Sequence, residues 1–418
     1  MTTDPLMGMR YATARWRGLS IVTNAIENLA TAHRTDNVGR LGRTLEAQRR
    51  SSVWGGTVVV VGAGPSLDKN IAQLRAVQHR VMVVAVNSAA PALQANGIAA
   101  DLVVAMENLD VSDQVSASHR SVMCALSSHP RVFARANVWA LEPAPAFIRL
   151  GQLLGCRPVH SGPSALTMAL TTVIELGARK VILVGADLSY PDEGPVYAKG
   201  TPWASVTAET DGDGFMLSGQ EERQQFHWDH NQPAPANERG EVYRLPSWDG
   251  EGTVRAPSEL FSQWRWVARR VAAVQGRPLI INATEGGAEI PGAPSLQFER
   301  AIEGVGQPMY GPRDRPMIPL PMRPQHRCTA AQVSDAFSDL CEQGEQGIDF
   351  SHAMMAGAIH PAPMQPVAPM VEALSTPDLI GFGQDFPDAD ELAAYRATYE
   401  IWGAAAQRLV DLVDRYGP

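Results

Sequence analysis

VVVVGAGPSL at Val58–Leu67 decides the fold. The β-branched run from Thr57 to Gly62 fits a strand buried on both faces. Gly62-Ala63-Gly64-Pro65-Ser66 then makes a turn, and Leu67–Val77 continues with helical spacing. A strand that passes through a glycine turn into a helix sets backbone N–H groups at the carboxyl edge of a sheet, where an anion can rest on them. The pattern is not GxGxxG, because Leu67 holds the sixth position. It is not a Walker A loop either, since no Lys-Ser/Thr pair follows, and Pro65 removes one donor. Two readings stand: a tight structural turn, or a nucleotide or nucleotide-sugar site in which Ser66 gives its hydroxyl to phosphate or ribose.

Outward from this stretch the pattern repeats. Val81–Val86 is a second buried run, a helix ends near Gly97, and Leu102–Met106 is a third strand, at the pace of a βαβαβ unit. A second half starts around Val138–Leu141, with Ser164–Leu176 as an apolar helix stopped by Gly177 and Lys180–Gly185 as another buried strand. Tyr190 to Arg255 is polar and without clear periodicity, which reads as a long irregular insert of the loop or lid type. Helix returns at Ser258–Val274, followed by a strand at Leu279–Asn282. Repeated Pro over 307–325 reads as a linker, and Asp390–Tyr416 as a helix with an apolar stripe. The expected fold is α/β, a Rossmann-like, doubly wound, mostly parallel sheet with helical N- and C-terminal extensions. The expected segments are a basic helical 1–52, a nucleotide-binding catalytic domain at 53–300, a Pro-rich linker at 301–329 and an acidic helical tail at 330–418.

Composition narrows the classes. Of the 418 residues, 45% are hydrophobic and 19% charged, enough for a real core, so global disorder is excluded. Lys and Arg number 35 against 44 Asp and Glu, a net charge of −9, which argues against a dedicated nucleic-acid binder. The acidity belongs to the tail, so it does not oppose an anionic ligand in the domain. Four scattered Cys without a CxxC pair exclude a zinc knuckle and point to a reducing compartment. No leader or membrane-spanning run stands out, so the expectation is a cytoplasmic protein.

Other polar residues fall at strand ends, where doubly wound sheets bind ligands. Asn87 and Asn108 offer donors and an acceptor, suited to a base or ribose, or equally to Asx capping. Glu107 and Asp110 suit a metal or a hydroxyl. Ser161 and Gly162 precede the helix at 164–176, and Asp187 follows the strand at 180–185, with Tyr190 and Tyr197 in the insert. Asn282 and Glu285 lie in NATEGGA, where Glu285 either orients a sugar hydroxyl, holds a divalent ion or caps a turn. His227 and His230 in FHWDH are general-base candidates for an acceptor hydroxyl, or solvated loop residues.

Five blocks then appear in order: VGAGPSLDKNI (61–71), AVNSAAPALQANGIAADLVVAMENLD (85–110), HSGPSALTMAL (160–170), ELGARKVILVGADLSY (175–190) and NATEGGAEIPG (282–292). Together they resemble the central domain of the motility accessory factor family, the flagellin nonulosonate glycosyltransferases. That domain is grouped with 6-hydroxymethylpterin diphosphokinase-like proteins, and the blocks are also similar to bacterial CMP-sialic acid sialyltransferases. The resemblance implies a CMP-activated acidic sugar over Gly62, Gly64, Pro65 and Ser66. It implies cytidine and ribose at Asn87 and Asn108, phosphate near Ser161 and Gly162, and the acceptor, a protein hydroxyl such as flagellin's, beside Asp187. The leading reading requires no cofactor. The family's usual His-Ala-x-Gly stretch here reads Tyr197-Ala198-Lys199-Gly200, so Tyr replaces the expected His. The alternatives are a diphosphokinase with Mg²⁺ on Asp110, Asp187 or Glu285, and an inactive nucleotide-binding module.

Overall fold

The computed structural model describes residues 19–32, 56–115, 121–136, 138–140, 145–154, 159, 162–212, 214–229, 242–305, 329–355, 371 and 391–417. Helix α1 covers residues 19–32. Then follow β1 (Thr57–Val61), α2 (Leu67–Val77), β2 (Met82–Val86), α3 (Ala90–Ala95), β3 (Leu102–Ala105), β4 (Val122–Ala125), α4 (Pro130–Arg135), β5 (Val138–Ala140), α5 (Pro145–Leu153), α6 (Ala165–Glu175) and β6 (Lys180–Val184). After the insert come α8 (Ser258–Val274), β12 (Leu279–Asn282) and α9 (Phe298–Ala301), then α10 (Ala330–Met355) and α11 (Glu391–Tyr416).

Seven strands form one sheet in the order β12-β6-β1-β2-β3-β4-β5, every neighbouring pair parallel. The valine run of β1 serves two cores because strand side chains alternate. Val59 and Val61 join one core and Val58 and Val60 the other. The chain winds from β1 out to β5, then returns to the far side of β1 for β6 and β12. Right-handed crossovers therefore place helices on both faces. Leu74 of α2, Phe133 of α4 and Phe147 of α5 pack in the first core, whereas Met168 of α6 and Val271 of α8 pack in the second. The doubly wound α/β expectation holds, with helical segments before and after the domain. The reversal comes later than expected, after β5 rather than near Val138, and β4 was not foreseen at all.

The terminal helices join the first core. Val22, Ile26 and Leu29 of α1, Phe337 and Leu340 of α10, and Leu409 of α11 are buried there. Ser20, Asn24 and Asn28 lie on one face of α1 at four-residue steps. Asn24 Nδ2 donates to the carbonyls of Asn108 (2.9 Å) and Ser127 (3.1 Å). Asn28 Nδ2 donates to those of Leu126 (2.8 Å) and Ser128 (2.7 Å). Two long helices, α10 and α11, close together at Gly344, where a Cβ would lie 2.6 Å from Val410. Arg149 on α5 forks onto Asp339 of α10 through Nε, at 2.8 and 3.0 Å. Among the described residues no helix is long and apolar enough to cross a membrane.

Among its described residues, the stretch from Tyr190 to Arg255 is built of regular elements rather than irregular loop. It holds an antiparallel sheet of β7 (Glu193–Pro195), β8 (Thr207–Asp211) and β9 (Gly214–Ser218), then α7 (Glu221–Asp229) and the hairpin β10 (Val242–Pro246)–β11 (Thr253–Pro257). Tyr190, Val196, Val206, Phe215 and Leu217 give it a small core of its own. The Tyr190 N–H bonds the Arg255 carbonyl at 3.0 Å and so joins the ends of the insert.

Candidate active site

In an open α/β sheet the ligand crevice forms where strand order reverses, which here lies between the carboxyl ends of β1 and β6. The loops after these strands run edge to edge. The Gly62 N–H donates to the Val184 carbonyl and the Gly64 N–H to the Gly185 carbonyl, both at 2.9 Å. A Cβ at Gly64 would sit 1.9 Å from Asp187 Oδ2, so that glycine is required for the loops to meet. Asp187, just beyond β6, is 7% exposed. It accepts the Ser66 hydroxyl at 2.7 Å on Oδ2 and the Ser66 N–H at 3.3 Å on Oδ1. Burial pushes its pKa up to about 6, against the opposing pull of the Ser66 hydrogen bonds and the Lys69 charge.

This geometry revises the expectation of an open amide cradle. The N–H groups of Gly62, Gly64 and Ser66 all donate within the protein, and those of Leu67 and Asp68 turn back to Gly64 and Pro65 carbonyls at 3.1 and 3.2 Å. The Ser66 hydroxyl proton is likewise committed to Asp187.

The loop after β12 closes the crevice from the other side. Glu285 has left-handed backbone (φ 57°), uncommon for a residue with a side chain. Its carbonyl accepts Lys69 Nζ at 2.6 Å, and its Oε1 accepts both Asn70 Nδ2 and the Phe298 N–H at 2.9 Å. Glu285 thus clamps α2 to α9. Asn282 is fully buried and holds the turn: Nδ2 donates to the Ala288 carbonyl at 3.1 Å and Oδ1 accepts the Thr284 N–H at 3.3 Å. Between them, a Cβ placed on Gly286 would meet Ser66 Cβ at 3.3 Å and Asp187 Oδ1 and Lys69 Nζ at 3.7 Å each.

At the ends of β2 and β3 the polar side chains have other partners. Asn87 Nδ2 donates to Gln114 Oε1 at 2.7 Å, and Asn108 Nδ2 to Ser20 Oγ at 2.5 Å. The Glu107 carbonyl accepts the His129 N–H at 3.0 Å. Asp110 accepts the Ser112 N–H at 3.0 Å and Arg131 Nη1 at 2.9 Å, with His129 Nδ1 at 3.7 Å. Burial works to raise its pKa, yet Ser112, Arg131 and His129 together hold it below the usual aspartate value.

Tyr190 is a core residue of the insert, edge-on to Phe215 with ring centroids 5.3 Å apart. Tyr197 packs against the same core, and the next residue, Ala198, donates its N–H to the Ala63 carbonyl at 2.9 Å. The Tyr197–Gly200 stretch therefore lies along the glycine loop. Gly162 is pressed on Trp266, where a Cβ would come within 2.6 Å, and leads into the Ser164–Thr167 capping box of α6. His227 is on α7 rather than in a loop. Ser161 and His230 lie outside the described residues. The structure thus gathers Gly62, Gly64, Ser66, Asp187 and Glu285 at one point. It adds Lys69 and Asn70, which the strand-end argument missed. Their signal was local: three and four residues after Ser66 they share its helix face.

Residues 23–193 match a family model described as 6-hydroxymethylpterin diphosphokinase MptE-like. No curated protein matches the sequence significantly. A solved structure, the MAf glycosyltransferase from Magnetospirillum magneticum AMB-1, is similar over 91% of this chain at a TM-score of 0.55 and 15% identity. The chain spans 60% of that protein's length, and the likeness is one of fold. Ser66 and Asp187 fall inside the matched segment, whereas Glu285 lies beyond it. From α1 to the start of β7, then, the chain is similar to the MptE-like family model, and its fold is shared with the MAf glycosyltransferase.

Proposed function

We propose that the chain is a glycosyltransferase that moves a nonulosonic, sialic-acid-like sugar from a CMP donor to a protein hydroxyl of the flagellin type. The observation that carries this reading is the Ser66–Asp187 pair buried where the β1 and β6 loops meet. The acceptor hydroxyl approaches that pair. As its oxygen attacks the anomeric carbon, its proton passes to Asp187, directly or by way of Ser66, while the bond to the CMP phosphate oxygen breaks and its electrons leave with CMP. A carboxylate whose pKa is about 6 is a stronger base than an exposed aspartate and is still ionised at neutral pH. In this reading Asn87 and Asn108 turn from Gln114 and Ser20 to cytidine and ribose, and Ser161 and Gly162 flank the donor. Tyr197 lies where the family's His is expected, and His227 and His230 are the alternative bases. The fold likeness to a solved glycosyltransferase supports the reading.

The matched family's description names a diphosphokinase, whose chemistry uses Mg²⁺ held by carboxylates. Of the three carboxylates suited to that task, Asp110 is engaged by Arg131 and Ser112, and Glu285 by Asn70 and the Phe298 N–H. That donor set fits a metal poorly and favours the transferase. Calorimetry with CMP and with ATP, each with and without Mg²⁺, separates the two. CMP binding without metal is expected, and tight ATP–Mg²⁺ binding with no CMP binding overturns the transferase.

A further inference from the structure

We infer that Lys69, together with the space beside Gly286, holds the phosphate of the nucleotide donor next to the Ser66–Asp187 pair. The inference rests on the transferase reading and names the group that neutralises the leaving phosphate. An expelled phosphate needs donors or positive charge aimed at it. The loop that sequence offered for this task has few donors to spare, because the amides of Gly62, Gly64 and Ser66 and the Ser66 hydroxyl are all consumed inside the protein.

Lys69 is exposed and follows that loop by one helical turn. An ammonium has three N–H donors, and the Glu285 carbonyl takes one of them, at 2.6 Å. Two remain for a ligand. The left-handed backbone of Glu285 aims this carbonyl, and its carboxylate is locked by Asn70 and the Phe298 N–H, so the lysine is held rather than left to wander. Strain of this kind persists where the surroundings over-determine it, and it concentrates at ligand clamps.

Gly286 supplies an independent observation. Its φ is not positive, so its backbone does not demand glycine. A Cβ there would press on Ser66 Cβ at 3.3 Å and stand 3.7 Å from both Asp187 Oδ1 and Lys69 Nζ. What the missing methyl leaves is a gap bordered by a hydroxyl-bearing residue, a carboxyl and an ammonium. A phosphate oxygen in that gap lies over Lys69 while the attacking hydroxyl lies over Asp187. Base and cation then sit side by side beneath the reacting carbon, one under each of its two partner oxygens.

The test compares CMP with cytidine, which lacks the phosphate, by calorimetry on the full chain. Wild-type protein is expected to bind CMP more tightly than cytidine. Lys69→Gln should weaken CMP about tenfold or more and leave cytidine unchanged. Gly286→Ala, which fills the gap without touching the charge, should weaken CMP in the same selective way. A CMP-to-cytidine ratio unmoved by both substitutions overturns the assignment of Lys69 while leaving the transferase intact. If the wild type takes ATP in place of CMP, the transferase falls, and the same ratio is read between ATP and adenosine. Loss of that ratio in Lys69→Gln still supports the phosphate site, and its persistence refutes it. Binding of neither nucleotide refutes both.

Discussion

Two places on the sheet's carboxyl edge hold carboxylates in opposite condition. Between β1 and β6, Asp187 is buried, and the hydrogen bonds from Ser66 do not offset the burial, so its pKa rises to about 6. Beyond β3, Asp110 meets Ser112, Arg131 and His129, which more than offset burial and hold its pKa down. On the proposed reading the first takes a proton, and the second is a strut. Asn87 and Asn108 resemble Asp110 in being matched to protein partners. The lesson is that a polar strand end marks chemistry when its surroundings leave it under-compensated, and packing when they satisfy it.

Asp187→Asn is the hardest blow to the comparison. Sugar transfer should fall by about 10²–10⁴-fold, measured as CMP released from a CMP-sugar. The same change should raise stability at pH 8. The folded pKa of Asp187 lies above its unfolded value of 3.8, so folding disfavours the charged form, and this penalty builds as pH rises from 3.8 and is complete above about 6. Removing the charge is worth up to about 3 kcal/mol at pH 8 and nothing near pH 4. Thermal melts at the two pH values read the difference, and equal shifts at both would mean that burial does not burden this group. Next in size is the pH profile of kcat/KM, which should fall about tenfold per pH unit below about 6 as the base is protonated. An acid limb near 4 would point to an ordinary, exposed carboxylate.

Gly64→Ala forces a methyl onto the Asp187 carboxylate and should cost about 1–3 kcal/mol along with transfer activity. An unchanged melting temperature would show that the two loops do not touch as described. At the other place, Asn28→Ala strips two buried carbonyls of their donor and should cost about 1–3 kcal/mol in denaturant unfolding, with kcat unchanged. A fall in kcat would join α1 to the chemistry and blur the contrast. Smallest is Asp110→Asn, at under about 1 kcal/mol because Arg131 is largely exposed. Since the folded pKa of Asp110 is lowered, its contribution is present above pH 3.8 and is lost as pH falls below that value. A larger loss, or one that persists in acid, would make this carboxylate more than a strut.

Much of the architecture was legible along the chain. Unbroken β-branched runs and Gly punctuation located β1, α2, β6, α8 and β12 to within a residue or so. β4 was hidden because Val122–Ala125 is four residues long and mixes Met and Cys with a single Val. The three residues of β5 gave too weak a signal to show that the reversal follows them. In the insert, TAETD of β8 carries no apolar alternation, and its pairing with β9 makes it a strand. For the candidate site, the loop residues and Asp187 were visible as strand ends. Their mutual contact was not, since Ser66 meets Asp187 across 121 residues and Lys69 meets Glu285 across 216. Nor could the sequence tell a satisfied asparagine from an available one. Asn108 and its partner Ser20 are 88 residues apart.

The docking of α1 carries a consequence of its own. Asn24 and Asn28 bond backbone carbonyls at Asn108, Leu126, Ser127 and Ser128, and never the side chains of those residues. A carbonyl is present whatever residue bears it. The contact itself therefore makes no demand on the side chains at 126 and 127, which answer to their own burial, whereas the helix side must keep its amides. Loss of either asparagine amide breaks the contact directly, whereas a change at 126 or 127 reaches it only through the path of the chain.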